Sequence, residues 1–263
     1  MFVDSHCHLD FPELKADMTA VLDGMRANQV THALTISTTL GTFPNVLGVA
    51  TAHPHIYASA GVHPDEQADD HEPTVAELLR MADHPKVVAI GETGLDYFRL
   101  NEPLDWQRER FRIHIRAAKE CAKPLVIHTR ESAEDTLRIM QEENAAAIGG
   151  VMHCFTETAA VADRAIEMNF YISFSGIVTF KNAKVLKDVA RHVPLERMLI
   201  ETDSPYLAPS PYRGKTNQPG YVKHVAEEIA SLKGISVEEV GRVTTQNFFS
   251  LFKHARSAAI GLT

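Results

Sequence analysis

What most constrains this chain is a rhythm of short apolar runs separated by longer amphipathic stretches. Runs rich in Val, Ile and Ala fall at residues 2–4, 33–37, 56–62, 87–90, 125–127, 150–152, 170–174 and 198–200. Being apolar on both faces, these eight read as buried parallel strands. Between them the apolar residues return at helical spacing, as in Leu14, Met18, Val21 and Met25, and again in Val222, Val225, Ile229 and Leu232. Eight strand–helix units in 263 residues fit a closed TIM (β/α)8 barrel, an α/β fold that fills residues 1–263 as a single domain. An open doubly wound sheet fits less well, because no GxGxxG follows the first run. The stretch at 205–219 carries four of the 13 prolines directly after the last run, so a semi-rigid loop at the barrel mouth is expected there. From Ser236 onward a closing helix should pack Phe248, Leu251 and Phe252.

Composition narrows the class of partner. The chain is 44% hydrophobic and 23% charged, which supports a well-buried core, and its formal charge of -8 argues against a broad basic surface for nucleic acid. Any such contact should be local. No basic, apolar leader pattern and no membrane-length apolar stretch is visible, so a cytoplasmic protein without membrane attachment is expected. Cys7, Cys121 and Cys154 are widely spaced and form no CxxC pair, which suggests neither disulfides nor a thiolate zinc site. The chain holds 14 histidines, and where they fall matters more.

Barrel active sites lie at the C-terminal ends of the strands. His6 and His8 follow the first run, His63 the third, Glu92 the fourth, His128 the fifth, His153 the sixth, and Glu201 with Asp203 the eighth. Each is a metal ligand or proton carrier by chemistry. Strand alternation puts His6 and His8 inward together and Cys7 outward, and turns Cys154 away from His153. Four imidazoles and two carboxylates then converge: His6, His8, Glu92, His128, His153 and Asp203. Six ligands are too many for one open ion. Two divalent ions bridged by Glu92 are the economical arrangement, His6, His8 and Asp203 holding one, His128 and His153 the other. Four positive charges against two carboxylates leave a positive centre, suited to a phosphoester and to activating water as the nucleophile. Asp203 is placed either to accept that water's proton or to serve as a ligand alone.

The motifs HxH, GxHP, GETGLDY at 91–97, PLVIHTRE, GVMHCF and ETDSPYLAP at 201–209, with the RGKxNxP segment, together resemble the TatD family of metal-dependent deoxyribonucleases over almost the whole chain. The resemblance implies metal residues His6, His8, Glu92, His128, His153 and Asp203, the same set the strand ends suggest. It implies a 3′-end deoxyribonuclease, with His63 contacting the scissile phosphate or else packing. Arg130, Arg213 and Lys215, with Asp96 and Tyr97, are candidates for holding flanking substrate. Thr156-Glu157 stands where many relatives carry a small Ser-Gly pair, and Glu157 should oppose a long anionic polymer. Magnesium is the metal the resemblance suggests, whereas four imidazoles favour zinc, manganese or iron.

An acidic chain with a narrow mouth should take single-stranded DNA ends in preference to duplex interiors. Two other readings stay open. A small phosphoester, cyclic amide or ester is the alternative substrate, although Glu92 occupies the strand-four position where a bridging lysine would be expected for amide hydrolysis. A non-catalytic metal-binding protein of a quality-control pathway is the third. No obligate protein partner is indicated.

Overall fold

The structure is a computed structural model and describes residues 1–66, 71–98 and 104–255. Its strands are β1 (Phe2–Cys7), β2 (Val30–Thr35), β3 (Ile56–Ala60), β4 (Val87–Asp96), β5 (Leu125–Arg130), β6 (Gly150–Met152), β7 (Phe170–Phe174) and β8 (Met198–Ile200). They form one parallel sheet in sequence order. The first and last strands meet through a Cys7–Ser204 bridge, with Asp203 N donating to His6 O (2.9 Å) and His8 N to Ser204 O (2.8 Å). This is the expected (β/α)8 barrel.

Between the strands run α1 (Pro12–Lys15), α2 (Met18–Ala27), α3 (Phe43–Ala52), α4 (Val75–Ala82), α5 (Asp105–Cys121), α6 (Ala133–Glu142), α7 (Ala159–Glu167) and α8 (Lys184–His192). The helices α9 (Val222–Lys233) and α10 (Val237–Leu251) complete the set. The Leu14 to Met25 periodicity spans α1 and α2, because Asp17 starts a new helix by accepting from Ala20 N at 3.0 Å. Among the described residues no helix is long and apolar enough to cross a membrane.

Two apolar layers hold the barrel. Phe2, Ala33, Ile56, Ala58, Val87 and Ile127 face outward against the helices, while Val3, Leu34, Tyr57, Val88, Val126, Val151 and Leu199 fill the interior. The lower end is plugged by α10, whose Phe248, with Phe252 just beyond, is fully buried; Leu251 is half-buried. Above this plug lie small buried hydroxyls, Ser5, Ser59 and Ser173, with Ser5 Oγ 3.2 Å from Ser173 Oγ. The interior thus passes from apolar to hydroxylic to ligand-bearing toward the C-terminal ends.

Four strands run further than their apolar runs: β2 begins three residues earlier, at Val30, and β1, β4 and β5 continue past their C-terminal ends, β5 to Arg130. β1 continues from Asp4 to Cys7 and β4 from Ile90 to Asp96, because polar side chains aimed into the barrel do not interrupt the backbone ladder. Conversely, the runs at 33–37 and 56–62 overshoot β2 and β3 by two residues.

Candidate metal centre

The inward direction of His6 and His8 depends on an extra residue in β1. The pairing advances from Asp4–Ala33 to Cys7–Thr35, three steps on β1 against two on β2. With Val3 inside the barrel, unbroken alternation would have aimed Cys7 inward. The slip reverses the parity, so Cys7 joins the outer core and His6 is fully buried in the centre. Asp4 secures this end of the strand, accepting from Thr202 N (2.9 Å), Thr202 Oγ1 (2.5 Å) and His6 N (3.3 Å). It thereby ties β1 to the segment that carries Asp203.

The register of β4 slips twice on the way to Glu92, first between Val87 and Ala89, and Glu92 keeps the inward direction of Val88. Pairing moves from Ile90–Leu125 to Thr93–Ile127, again three steps against two. Gly91 lies at φ +146°, where a Cβ would meet Val126 O at 2.5 Å, so only glycine lets β4 make this turn. The carboxylate it delivers is almost fully buried and faces four imidazoles. Oε2 is 3.3 Å from His6 Nε2, while Oε1 is 2.7 Å from His153 Nε2, 3.2 Å from His128 Nδ1 and 3.4 Å from His63 Nε2.

Asp203, at φ +57° just past β8, brings Oδ1 to 3.5 Å from His6 Nε2 and 3.4 Å from His8 Nε2. Two sets of donors capable of holding an ion follow: His6, His8 and Asp203, and His63, Glu92 and His128. The division differs from the one the sequence suggests, since His63 joins the second set. His153 lies between them, its ring stacked on His6 at 3.8 Å and 9° while its Nε2 faces Glu92. It also belongs to a third group with His6 and Glu201.

Two further carboxylates orient the imidazoles from behind. Asp96 Oδ2 is 3.0 Å from His128 Nε2, leaving Nδ1 for Glu92. Glu201 Oε1 lies 3.2 Å from His153 Nδ1 and accepts from Cys154 N at 2.7 Å, leaving Nε2 for the centre. Carboxylates placed behind ligating histidines in this way fix tautomer and ring direction. Sequence reasoning gave Asp96 a substrate role and left Glu201 outside the ligand set. Only the partner distances separate the tasks.

Burial works against charge throughout the site, and neighbours decide the outcome. Burial raises the Glu92 carboxyl, but His153, His63 and His6 overrule it and hold it well below the usual carboxylate range. Burial lowers His153, yet Glu92 and Glu201 lift it well above the ordinary imidazole value. His63 is pushed down to about 3, chiefly by burial, so its ring is neutral. His6 is likewise lowered by burial and by His153. Neutral imidazoles are the ligand form. Among the described residues, both ring nitrogens of His6, Nδ1 of His8 and Nε2 of His153 are buried and complete no aligned hydrogen bond, although His6 Nε2 and His153 Nε2 lie 3.3 and 2.7 Å from Glu92. Such nitrogens, gathered around a buried carboxylate, fit a metal centre.

The centre floors a cavity of about 620 Å³ whose wall includes Phe11, Thr38, Asp65, Glu66, Arg130, Thr156, Tyr206 and Leu207. Arg130 is in the wall, its guanidinium 3.7 Å from the Phe98 ring centroid. Tyr97 is not. One residue on from inward-facing Asp96, its hydroxyl donates to Asp135 Oδ2 (2.7 Å) and accepts from Arg108 Nε (2.9 Å). Arg213 and Lys215 also lie outside the wall, exposed, with Arg213 against Phe180 at 3.9 Å. The proline-punctuated loop does reach the mouth, and buried Asn217 stitches it back by donating to Thr202 O (2.9 Å) and Tyr206 O (2.6 Å). Cys154 corrects the alternation argument: at φ +43° it leaves the strand geometry and enters the cavity wall. At the 156–157 pair, Thr156 lines the cavity and Glu157 does not.

The model of the family described as TatD related DNase matches residues 3–253. An uncharacterized metal-dependent hydrolase of Escherichia coli K12, YcfH, is 48% identical over 253 residues, covering 95% of each chain. A Bacillus subtilis counterpart, YabD, is 44% identical, covering 96% of this chain and 99% of its own. Among solved structures, YJJV, a TatD homolog from E. coli K12, superposes with a TM-score of 0.90 at 26% identity, over 96% of this chain and 98% of that one.

Proposed function

The chain belongs to the TatD family of metal-dependent hydrolases, and from that premise we propose that it cleaves phosphodiester bonds with two divalent ions, shortening single-stranded DNA from its 3′ end. One observation carries the reading: the buried Glu92 carboxylate turns one oxygen to His6 and the other to His63, His128 and His153, as a bridging ligand would. His6, His8 and Asp203 would hold one ion, and His63 and His128 the other, with Glu92 between them and His153 beside both.

Two divalent ions would supply four positive charges against the two negative ones of Glu92 and Asp203, with Asp96 and Glu201 set behind the imidazoles and away from the open face, so the ions would attract a phosphodiester and acidify water. Asp203, whose side chain is 15% exposed against 3% for Glu92, reaches into the cavity and accepts the attacking water's proton. His63, neutral and half-buried, has its Nδ1 taken by Asp65 N at 3.0 Å, which leaves Nε2 as its one donor to the centre; there it serves as a ligand and not as a phosphate contact. Arg130, in the wall, holds a non-bridging phosphate oxygen. The imidazole-rich donor set favours zinc or manganese over magnesium. Residues 1–263 are read as one barrel domain, supported by a family match that spans 3–253.

A second reading, a small phosphoester substrate, is favoured by the cavity volume, which falls within the range of small-molecule sites, and by Asp65 and Glu66 in its wall. Incubating metal-stripped protein with a 5′-labelled single-stranded oligonucleotide and magnesium, manganese or zinc separates the two. Metal-dependent shortening that Glu92→Gln and Asp203→Asn both lose supports the nuclease. No cleavage of DNA, with turnover of a p-nitrophenyl phosphodiester, supports the small substrate.

A further inference from the structure

Phe11 and Tyr206 meet at the cavity rim on opposite sides of the barrel closure. Phe11, four residues past β1, lays its ring on the His8 imidazole at 4.7 Å and 22°. Its edge meets the Tyr206 ring at 6.1 Å and 77°, so the two aromatic planes form a corner. Both rings line the cavity that holds the ligand cluster. Tyr206 is nevertheless 54% exposed. An aromatic ring this exposed beside a reactive centre is a surface on which a planar group can stack. The corner lies next to the His6, His8 and Asp203 set, since Phe11 stacks on one of those ligands and Tyr206 follows another by three residues.

We infer that Phe11 and Tyr206 form a shelf on which one unpaired nucleobase stacks while its phosphodiester lies at the metal centre, an inference that rests on the nuclease reading above. Every base offers a π face, so the shelf binds without sequence preference. A base already paired and stacked in a duplex must first be freed to reach it, so the shelf makes single-stranded ends the substrate. Beyond Phe11 the chain opens into a second groove of about 550 Å³. That groove carries Asp10 and Lys15, whose opposite charges offer a second phosphate no net attraction, so the shelf accounts for one nucleotide.

The test compares two single-stranded oligonucleotides, one ending in a normal nucleotide and one in an abasic sugar at the same position, on metal-loaded wild type, Tyr206→Ala and Phe11→Leu. Base–aromatic stacking predicts that wild type prefers the normal end by about 5- to 150-fold in kcat/KM. Each substitution should remove most of that preference, acting mainly on KM, with a several-fold smaller effect on the abasic end. Fluorescence anisotropy of the same oligonucleotides on metal-stripped protein should show the same loss of preference in Kd without turnover. Wild type cleaving both ends equally, or variants losing both equally, overturns the shelf and leaves the nuclease standing. Wild type cleaving neither, with every metal, overturns the nuclease reading and the shelf with it.

Discussion

Glu201 tests whether the imidazoles are set from behind. It is fully buried, and one oxygen serves two donors, Cys154 N at 2.7 Å and His153 Nδ1 at 3.2 Å. Glu201→Gln keeps an acceptor oxygen for both. What it removes is the charge that strengthens the His153 bond and helps lift that imidazole above its ordinary value. Replacing a carboxylate of this kind costs about 10- to 100-fold in metal affinity or activity, or about 1.4–2.8 kcal/mol. Glu201→Ala instead strands both donors inside the barrel, at about 1–3 kcal/mol each. The glutamine variant should therefore melt near wild type yet bind zinc about 10- to 100-fold more weakly in competition with a chromophoric chelator. The alanine variant should lose stability as well. Wild-type zinc affinity in a well-folded glutamine variant would refute the claim that Glu201 orients His153.

Away from the centre, His114 should make the metal-stripped protein acid-sensitive. Burial pushes it down to about 4, and its Nε2 accepts from Val62 N at 3.0 Å, so folding favours the neutral ring. That contribution is complete above a pH of about 6.5 and is lost as pH falls toward 4, about 3 kcal/mol in all. Urea unfolding at pH 7 and pH 4 should show wild type losing about 3 kcal/mol more than His114→Gln, and equal losses would dismiss the linkage. Tyr97→Phe should leave KM within about twofold while costing about 1 kcal/mol of stability, because its hydroxyl bonds lie outside the cavity. Arg130→Met should raise KM by about tenfold or more; a reversal of the two KM effects would contradict the wall as described. Phe252→Ala, at the plugged end, should cost about 3–5 kcal/mol in denaturant unfolding, and a near-neutral result would deny the plug its role.

Much was legible in the linear order of residues, for identifiable reasons. Strand cores such as Val151 and Leu199 are buried on a continuous parallel sheet, which forces apolar runs, and the runs count out eight units. His6, His8, Glu92, His128, His153 and Asp203 stand where those runs end, so their convergence follows once the barrel closes. What the order of residues could not settle was direction. Alternation alone sends Cys7 inward from Val3, and a single extra residue on β1 reverses it. Asp96 and Tyr97 are neighbours in sequence but face opposite sides of the sheet, so one backs His128 while the other joins Arg108 and Asp135 outside. Arg213 and Lys215 sit on a loop that reaches the mouth, yet the course of that loop, tied by Asn217, leaves them in solvent. Residue type and spacing determined which chemistry the chain carries. Register, loop path and the positive-φ residues Cys154 and Asp203 decided which side chains share one cavity, because those depend on contacts between segments far apart in the chain, such as Asp4 with Thr202, 198 residues on.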